Sequence, residues 1–285
     1  MWTQDNRCRY DRSHLRYPSD LADEEWAEIA PEIPPARPGG NKRTVDVRKV
    51  VDGLMYLLGT GCQWGAIPKD LPPKSTIRGY FDRWSDDRTL DRIHHALYVK
   101  CRELAERKCS PTAAVIDSQS VKSAEKGGIC VDPHGYDAGK TIKGKKRHIL
   151  VDSTCLMLHA IVHAADIQDR DGGALLMATL FGLYPFLLKF YADSGYQGPV
   201  FQAAMKDIMA QVEVEIVKRS DQAKGFVLLP KRWVVERTIA WLNRCRRLAN
   251  DWECLNRKAR AILMLASIRL MVRRVSLARQ HVRFM

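Results

Sequence analysis

The hydrophobic pattern of this chain changes period near residue 108, and that change limits what it can fold into. Before it, apolar residues recur at intervals of three and four, the spacing of one helix face; after it, short apolar runs alternate with helical stretches. Val47, Val50, Val51, Leu54, Leu57 and Leu58 mark one helix, which Thr44 can cap and Gly59 and Gly61 can end. Ile77, Tyr80, Phe81 and Trp84 mark another, with Ser75 as its cap. Residues 20–30 and 90–108 read as two more helices, and 1–18 as a loosely ordered basic arm. An all-α domain over 19–108 fits this half.

The second half reads differently. Apolar or alternating runs predict strands at 113–117, 147–152, 156–163, 187–192 and 212–217, the last spelled VEVEIV. Helical stretches fall at 169–183, 199–210, 231–248 and 255–275. Strand, hairpin, helix, strand, helix, strand, helix, helix is the order of a mixed α/β sheet with flanking helices, here over 109–276 with a basic tail at 277–285. The apolar stretches at 53–68 and 172–188 carry glycines and fall short of the ~20 unbroken residues a bilayer core requires, so no membrane association is expected. No apolar stretch follows the N-terminal arginines, so no secretory signal is read, and the eight cysteines contain no CxxC pair. Reduced thiols and a cytoplasmic location follow as expectations.

Charge narrows the partner. The chain carries 46 Lys and Arg against 33 Asp and Glu, a formal net charge of +13. Residues 231–285 hold 14 of those bases and only Glu236, Asp251 and Glu253 as acids. Such a local excess is better matched to a phosphate backbone than to an ordinary solvated helix face.

Three acids then stand out by position. Asp117 ends the first predicted strand and Asp193 follows the fourth, and side chains at the carboxyl ends of adjacent strands converge on one crevice. Glu236 lies opposite the apolar stripe Val234, Val235, Thr238, Ile239, Trp241, Leu242, Cys245 and Leu248, on the side that also carries Arg232, Asn243, Arg244 and Arg247. An intrahelical ion pair with Arg232 explains Glu236 equally well on spacing alone. Three carboxylates on separate segments are the donor set for Mg²⁺, with Mn²⁺ as the alternative, and two such ions can stabilise the attacking and leaving oxygens of a phosphoryl displacement. The string Lys140, Lys143, Lys145, Lys146, Arg147 leads into a strand beside that of Asp117 and is expected to contact phosphates.

The local strings carry more information than the acids. EEWAEIAPEIPP, TGCQWGAIPKDLPP, AAVIDSQSVKS, GYDAGKTIKGKKRHILVD, ADIQDRDG, YADSGYQG and LLPKRWVVERTIAWLNRCRRL occur in that order over residues 21–275. Together they resemble the DDE transposases of bacterial insertion sequences, in the branch named after insertion sequence five. The resemblance implies a ribonuclease-H-like mixed sheet with flanking helices, preceded by a small helix-turn-helix-like domain that binds the element's inverted repeats. It implies that Asp117, Asp193 and Glu236 are the catalytic, metal-binding triad, and that Arg232 and a basic residue after the glutamate contact DNA. The wider group has a tyrosine three residues before that arginine, where this chain has Leu229. It has a lysine seven residues after the glutamate, where this chain has Asn243 beside Arg244, with Arg247 further along. The implied partners are the transposon ends and target DNA, bound by a dimer or larger assembly, in a bacterial cytoplasm at the nucleoid.

Other readings compete with this one. A silent DNA-binding descendant would keep the fold and the basic surface but lose a triad acid, and all three are present. A serine-recombinase-like enzyme would use Ser118 or Ser120, but no histidine is placed by sequence to activate either; bonding around the carboxylate is the simpler role. Cys155, His159 and His163 alternate along a predicted strand without the spacing of a structural zinc site. Trp64, Tyr80, Phe81 and Trp84 are expected in packing rather than on bases.

Overall fold

Asp46, two residues after the expected Thr44, accepts the Arg48 N–H at 2.9 Å and so starts helix α3, Val47–Thr60. Gly61 closes it at φ +69°, and a Cβ there would lie 3.0 Å from the Arg246 backbone, so both conformation and space require glycine. The predicted face, Val50, Val51, Leu54, Leu57 and Leu58, is buried. These coordinates form a computed structural model that describes residues 3–36, 39, 42–124, 131–180, 182–217 and 232–283.

The chain divides into two units. The first comprises Met1–Ala105, Cys245–Arg247 and Met264–Met285. Its described elements are helical: α1 (Gln4–Arg9), α2 (Asp23–Ile29), α3, α4 (Lys74–Asp86) and α5 (Thr89–Glu103), with short 3-10 turns between. Pro73, not Ser75, precedes α4, and Trp64 packs its ring 5.8 Å from that of Phe81. Within the expected arm, Arg12 forms a two-pronged bond to buried Glu25 at 2.8 Å through each nitrogen. The last helix, α9 (Asn256–Arg283), runs through most of the expected tail. From Met264 onward it belongs to this unit, where His94 Nε2 meets Ser267 Oγ at 3.0 Å and Arg273 reaches Glu25 at 3.8 Å.

Asp52, in α3, accepts the Leu21 N–H at 2.9 Å, and burial pushes its carboxyl up to about 6. The folded state therefore holds that proton more tightly than the unfolded chain. This favours folding below the ordinary Asp value near 4, and the advantage is lost as pH rises through about 6. Asp52→Asn keeps the acceptor without the charge. It should stabilise the protein by about 1–2 kcal/mol at pH 7.5 and leave it unchanged at pH 4, read from urea unfolding midpoints at the two pH values.

The second unit comprises Glu106–Arg244 and Leu248–Leu263. Among the described residues, six strands form one sheet: β1 (Ala113–Lys122), β2 (Gly135–Asp137), β3 (Ile142–Asp152), β4 (Met157–Ala164), β5 (Lys189–Ala192) and β6 (Glu213–Ile216). The hydrogen-bonded order is β2-β3-β1-β5-β6, with β4 also paired to β3. β3 runs antiparallel to β1, β2 and β4, whereas β1, β5 and β6 are parallel to one another, so the sheet is mixed. Helices α6 (Asp169–Ala178), α7 (Pro199–Ile208) and α8 (Trp233–Leu242) accompany it.

Several boundaries moved. β1 runs five residues beyond Asp117, because Ser118 to Lys122 continue the ladder with β3, and β2 was not anticipated. α6 ends at Ala178 rather than near 183. α8 stops at Leu242, after which Arg244 N–H turns back to Trp241 O and a 3-10 turn covers Arg246–Leu248. The expected start of that helix at Lys231, and Leu229 before it, lie outside the described residues. No disulfide joins the described cysteines, and no described helix is long and apolar enough to cross a membrane.

Candidate active site

Parallel pairing places the first two acids. Val115 of β1 stands opposite Tyr191 of β5, so the chains leave the ladder side by side and Asp117 and Asp193 emerge two residues on at the same end. Asp117 Oδ1 accepts the Ser118 N–H at 2.7 Å. Asp193 Oδ1 accepts the Gly195 N–H at 2.9 Å and caps the 3-10 turn Ser194–Tyr196.

Helix α8 brings the third. Its buried side, Val234, Val235, Thr238 and Leu242, packs on β1 and β3, and Thr238 Oγ1 donates to Cys155 O at 3.1 Å. The opposite side presents Arg232 and Glu236. Arg232 Nη2 lies 3.7 Å from Asp117 Oδ2, 3.4 Å from Asp193 Oδ2 and 3.8 Å from Glu236 Oε1. One guanidinium nitrogen is therefore shared by all three acids, and no two of these oxygens are further apart than the sum of their distances to it. The intrahelical pair between Arg232 and Glu236 exists, as the longest of the three contacts.

Among the described residues, no three carboxylate, imidazole or thiol groups are close enough to share an ion directly. The donor set nevertheless suits a hard cation. It consists of oxygens alone, it comes from three separate elements, and it surrounds a point already favourable to positive charge. Burial pushes the Asp117 carboxyl up to about 6, with the charge of Asp193 adding to it and the Ser118 N–H and Arg232 opposing it.

Beside the acids lies a polar cluster that no periodicity of the sequence singles out. Asp169, the first residue of α6, accepts from Ser118 Oγ at 2.9 Å and from Lys146 Nζ at 3.0 Å. Burial opposes ionisation of Asp169, but these two donors hold its carboxyl below the usual range. The Tyr196 hydroxyl bonds to Ser118 and lies 2.9 Å from His148 Nδ1, while the His148 ring stacks on His163 at 4.8 Å between centroids. Burial, then the neighbouring His163, lowers His148 to about 3, so its ring is neutral. The available signals were the strings ADIQDRDG and YADSGYQG, which supply Asp169 and Tyr196. Each serine hydroxyl beside Asp117 donates to a carboxylate, Ser118 to Asp169 and Ser120 to Asp137 at 2.5 Å. Cys155 sits in the turn before β4, not on it.

The basic residues expected at DNA separate into two groups. Lys140, Lys143 and Arg244 are exposed, and Lys140 Nζ lies 3.2 Å from Ser118 O. Lys145, Lys146, Arg147 and Arg247 are buried, which is at odds with the phosphate contact expected of them. Lys145 pairs with Asp251 at 3.2 Å, Lys146 serves Asp169 and Ile167 O, and Arg147 donates to Leu248 O at 2.8 Å. Arg247 donates to Cys62 O at 3.0 Å. Arg237, unremarked in the sequence, stacks its guanidinium on Trp233 at 4.6 Å and Trp241 at 5.5 Å along the outer side of α8.

The mixed sheet thus delivers two aspartates from parallel strand ends, and a covering helix a glutamate, to one cationic point. The family profile of the transposase DDE domain matches residues 108–271, more than half of the chain, and the chain belongs to that family. A second profile, a putative transposase of the IS4/5 family, matches residues 21–94. The domain family implies a ribonuclease-H-like fold, with which the mixed sheet agrees. Over 117 residues the chain is 36% identical to a putative transposase for insertion sequence element IS402 of Burkholderia cepacia, a match over 39% of this chain and 54% of that protein. Over 113 residues it is 28% identical to a 16.2 kDa protein of insertion element IS402 from the same organism, 38% of this chain and 76% of that protein. The chain thus spans about half the length of the curated transposase it matches. No solved structure matches it significantly.

Proposed function

We propose that the protein excises and inserts an insertion sequence by hydrolysing a phosphodiester at each element end and passing the freed 3′ hydroxyl to target DNA. The observation that carries this reading is the convergence of Asp117, Asp193 and Glu236 on Arg232 Nη2, each within 3.8 Å. Asp117, Asp193 and Glu236 would hold Mg²⁺, with Mn²⁺ able to replace it. When bound, the metal supplies the charge that activates water and steadies the leaving oxygen of an in-line displacement.

The chain's own residues do the remaining work. The Ser118 and Gly195 N–H groups fix one oxygen each of Asp117 and Asp193, leaving the other oxygens directed at the reaction centre. Arg232 offsets the repulsion among the acids and offers a cation to an incoming phosphate. Lys140, Lys143 and Arg244, all exposed, extend that positive surface and hold the DNA backbone in register. The helical unit binds the inverted repeats, and two copies or more act together because both ends must be joined. Retention of all three acids favours catalysis over a silent DNA-binding role.

The test is cleavage of duplex DNA carrying the element's own ends in Mg²⁺. Glu236→Gln keeps the shape and removes the charge, and should reduce nicking about 100-fold or more while leaving end binding by gel shift intact. Nicking at the wild-type rate by that variant would remove Glu236 from the mechanism.

A further inference from the structure

We propose that Asp169 is a positioning residue for the reaction, fixing the direction of both aspartates without touching DNA or metal; this rests on the reading of Asp117 and Asp193 as metal ligands. Two observations carry the inference, a hydrogen bond and a close approach. On one side, Asp169 Oδ1 takes the Ser118 hydroxyl at 2.9 Å, and the same serine's peptide N–H holds Asp117 Oδ1 at 2.7 Å. On the other, Asp169 lies against Gly195, whose N–H holds Asp193 Oδ1 at 2.9 Å. A Cβ built on Gly195 would lie 3.2 Å from Asp169 Oδ2 and 3.0 Å from Asp193 Oδ1, so only glycine allows the approach without displacement. One carboxylate therefore braces the two groups that aim the two aspartates.

Asp169 is itself held firmly. Buried Lys146 gives it an ion pair at 3.0 Å and is in turn fixed by Ile167 O at 2.9 Å, just ahead of α6. The first turn of a helix is also where a negative charge is best accommodated. The Tyr196 hydroxyl, bonded to Ser118 and His148, ties the turn after Asp193 to the same cluster. With its charge matched by Lys146 and one oxygen occupied by Ser118, Asp169 is committed to support rather than to coordination. Outer groups of this kind orient metal ligands, and their loss typically weakens metal binding about 10–100-fold.

The experiment measures Mn²⁺ affinity of the full chain by electron paramagnetic resonance, with urea unfolding and DNA gel shifts as companions. Asp169→Ala and Ser118→Ala should each weaken Mn²⁺ binding about 10-fold. Asp169→Asn, which keeps an acceptor for Ser118, should recover part of the loss. The double variant Ser118→Ala/Asp169→Ala should be no weaker than Asp169→Ala alone, because both changes break the same contact. DNA affinity should not change. If Asp169→Ala does not fold, Ser118→Ala alone reads the contact: it should still weaken Mn²⁺ binding about 10-fold, and unchanged affinity there overturns the inference. Unchanged Mn²⁺ affinity in a folded Asp169 variant, even with a lowered unfolding midpoint, would overturn the inference, as would full additivity. Asp117→Asn is the control: if it binds Mn²⁺ as well as wild type, the reading of the triad fails instead.

Discussion

Asp117→Asn is expected to leave a folded protein that binds element ends but nicks them at least about 1,000-fold more slowly than wild type in Mg²⁺. The substitution is nearly isosteric. Its amide oxygen still accepts the Ser118 N–H, so the strand end keeps its shape. What disappears is one negative charge from a set of three, at the position where charge develops during displacement, and the loss of such stabilisation is among the largest single effects in catalysis. Stability should not fall, because the wild-type carboxylate is buried and burial already resists its ionisation. DNA affinity should hold or rise, since a negative charge facing the phosphates has been removed. A quantitative nicking assay, with gel shifts and unfolding measured on the same preparation, separates these outcomes. Equal rates for variant and wild type would exclude Asp117 from the chemistry.

Lys145→Ala should destabilise the protein by about 3–5 kcal/mol, enough to threaten folding at physiological temperature. The Lys145 side chain is fully buried, and Asp251, its partner at 3.2 Å, is almost fully so. Removing the ammonium alone leaves a carboxylate in a poorly solvating interior, which costs far more than losing an exposed pair. Lys145→Met combined with Asp251→Asn removes both charges and should recover most of the loss. Urea unfolding of the single and double variants reads the difference, and a single variant within about 1 kcal/mol of wild type would contradict the buried-pair account.

That same basic string marks where sequence reasoning ran out. Five cations and neighbouring polar residues between 140 and 148 look like a solvated, phosphate-facing loop. In the folded unit the string is largely β3, and its partners Leu248, Asn250, Asp251 and Glu253 lie about a hundred positions downstream, so no local pattern reveals their burial. Asp169 escaped notice for a related reason, since the serine it supports is 51 positions earlier. The extension of β1 through polar Ser118 to Lys122 was hidden because its polar side chains are matched by β3 rather than by apolar neighbours. What was legible depended on short-range rules. The switch in hydrophobic period located the two kinds of structure. Asp117 and Asp193 were recognisable as strand-end residues, and the position of Glu236 opposite an apolar stripe survived even though α8 is shorter than its sequence suggested.

Arg232 has a consequence for how such a domain comes into being. Crowding several acidic groups into one corner ordinarily sets a condition on assembly: an ion must be at hand, or the groups must take up protons. Here the polypeptide brings its own counter-charge to the spot, on the helix that delivers the last acid. Part of the counter-charge that such a corner needs during folding is thereby carried by the chain itself.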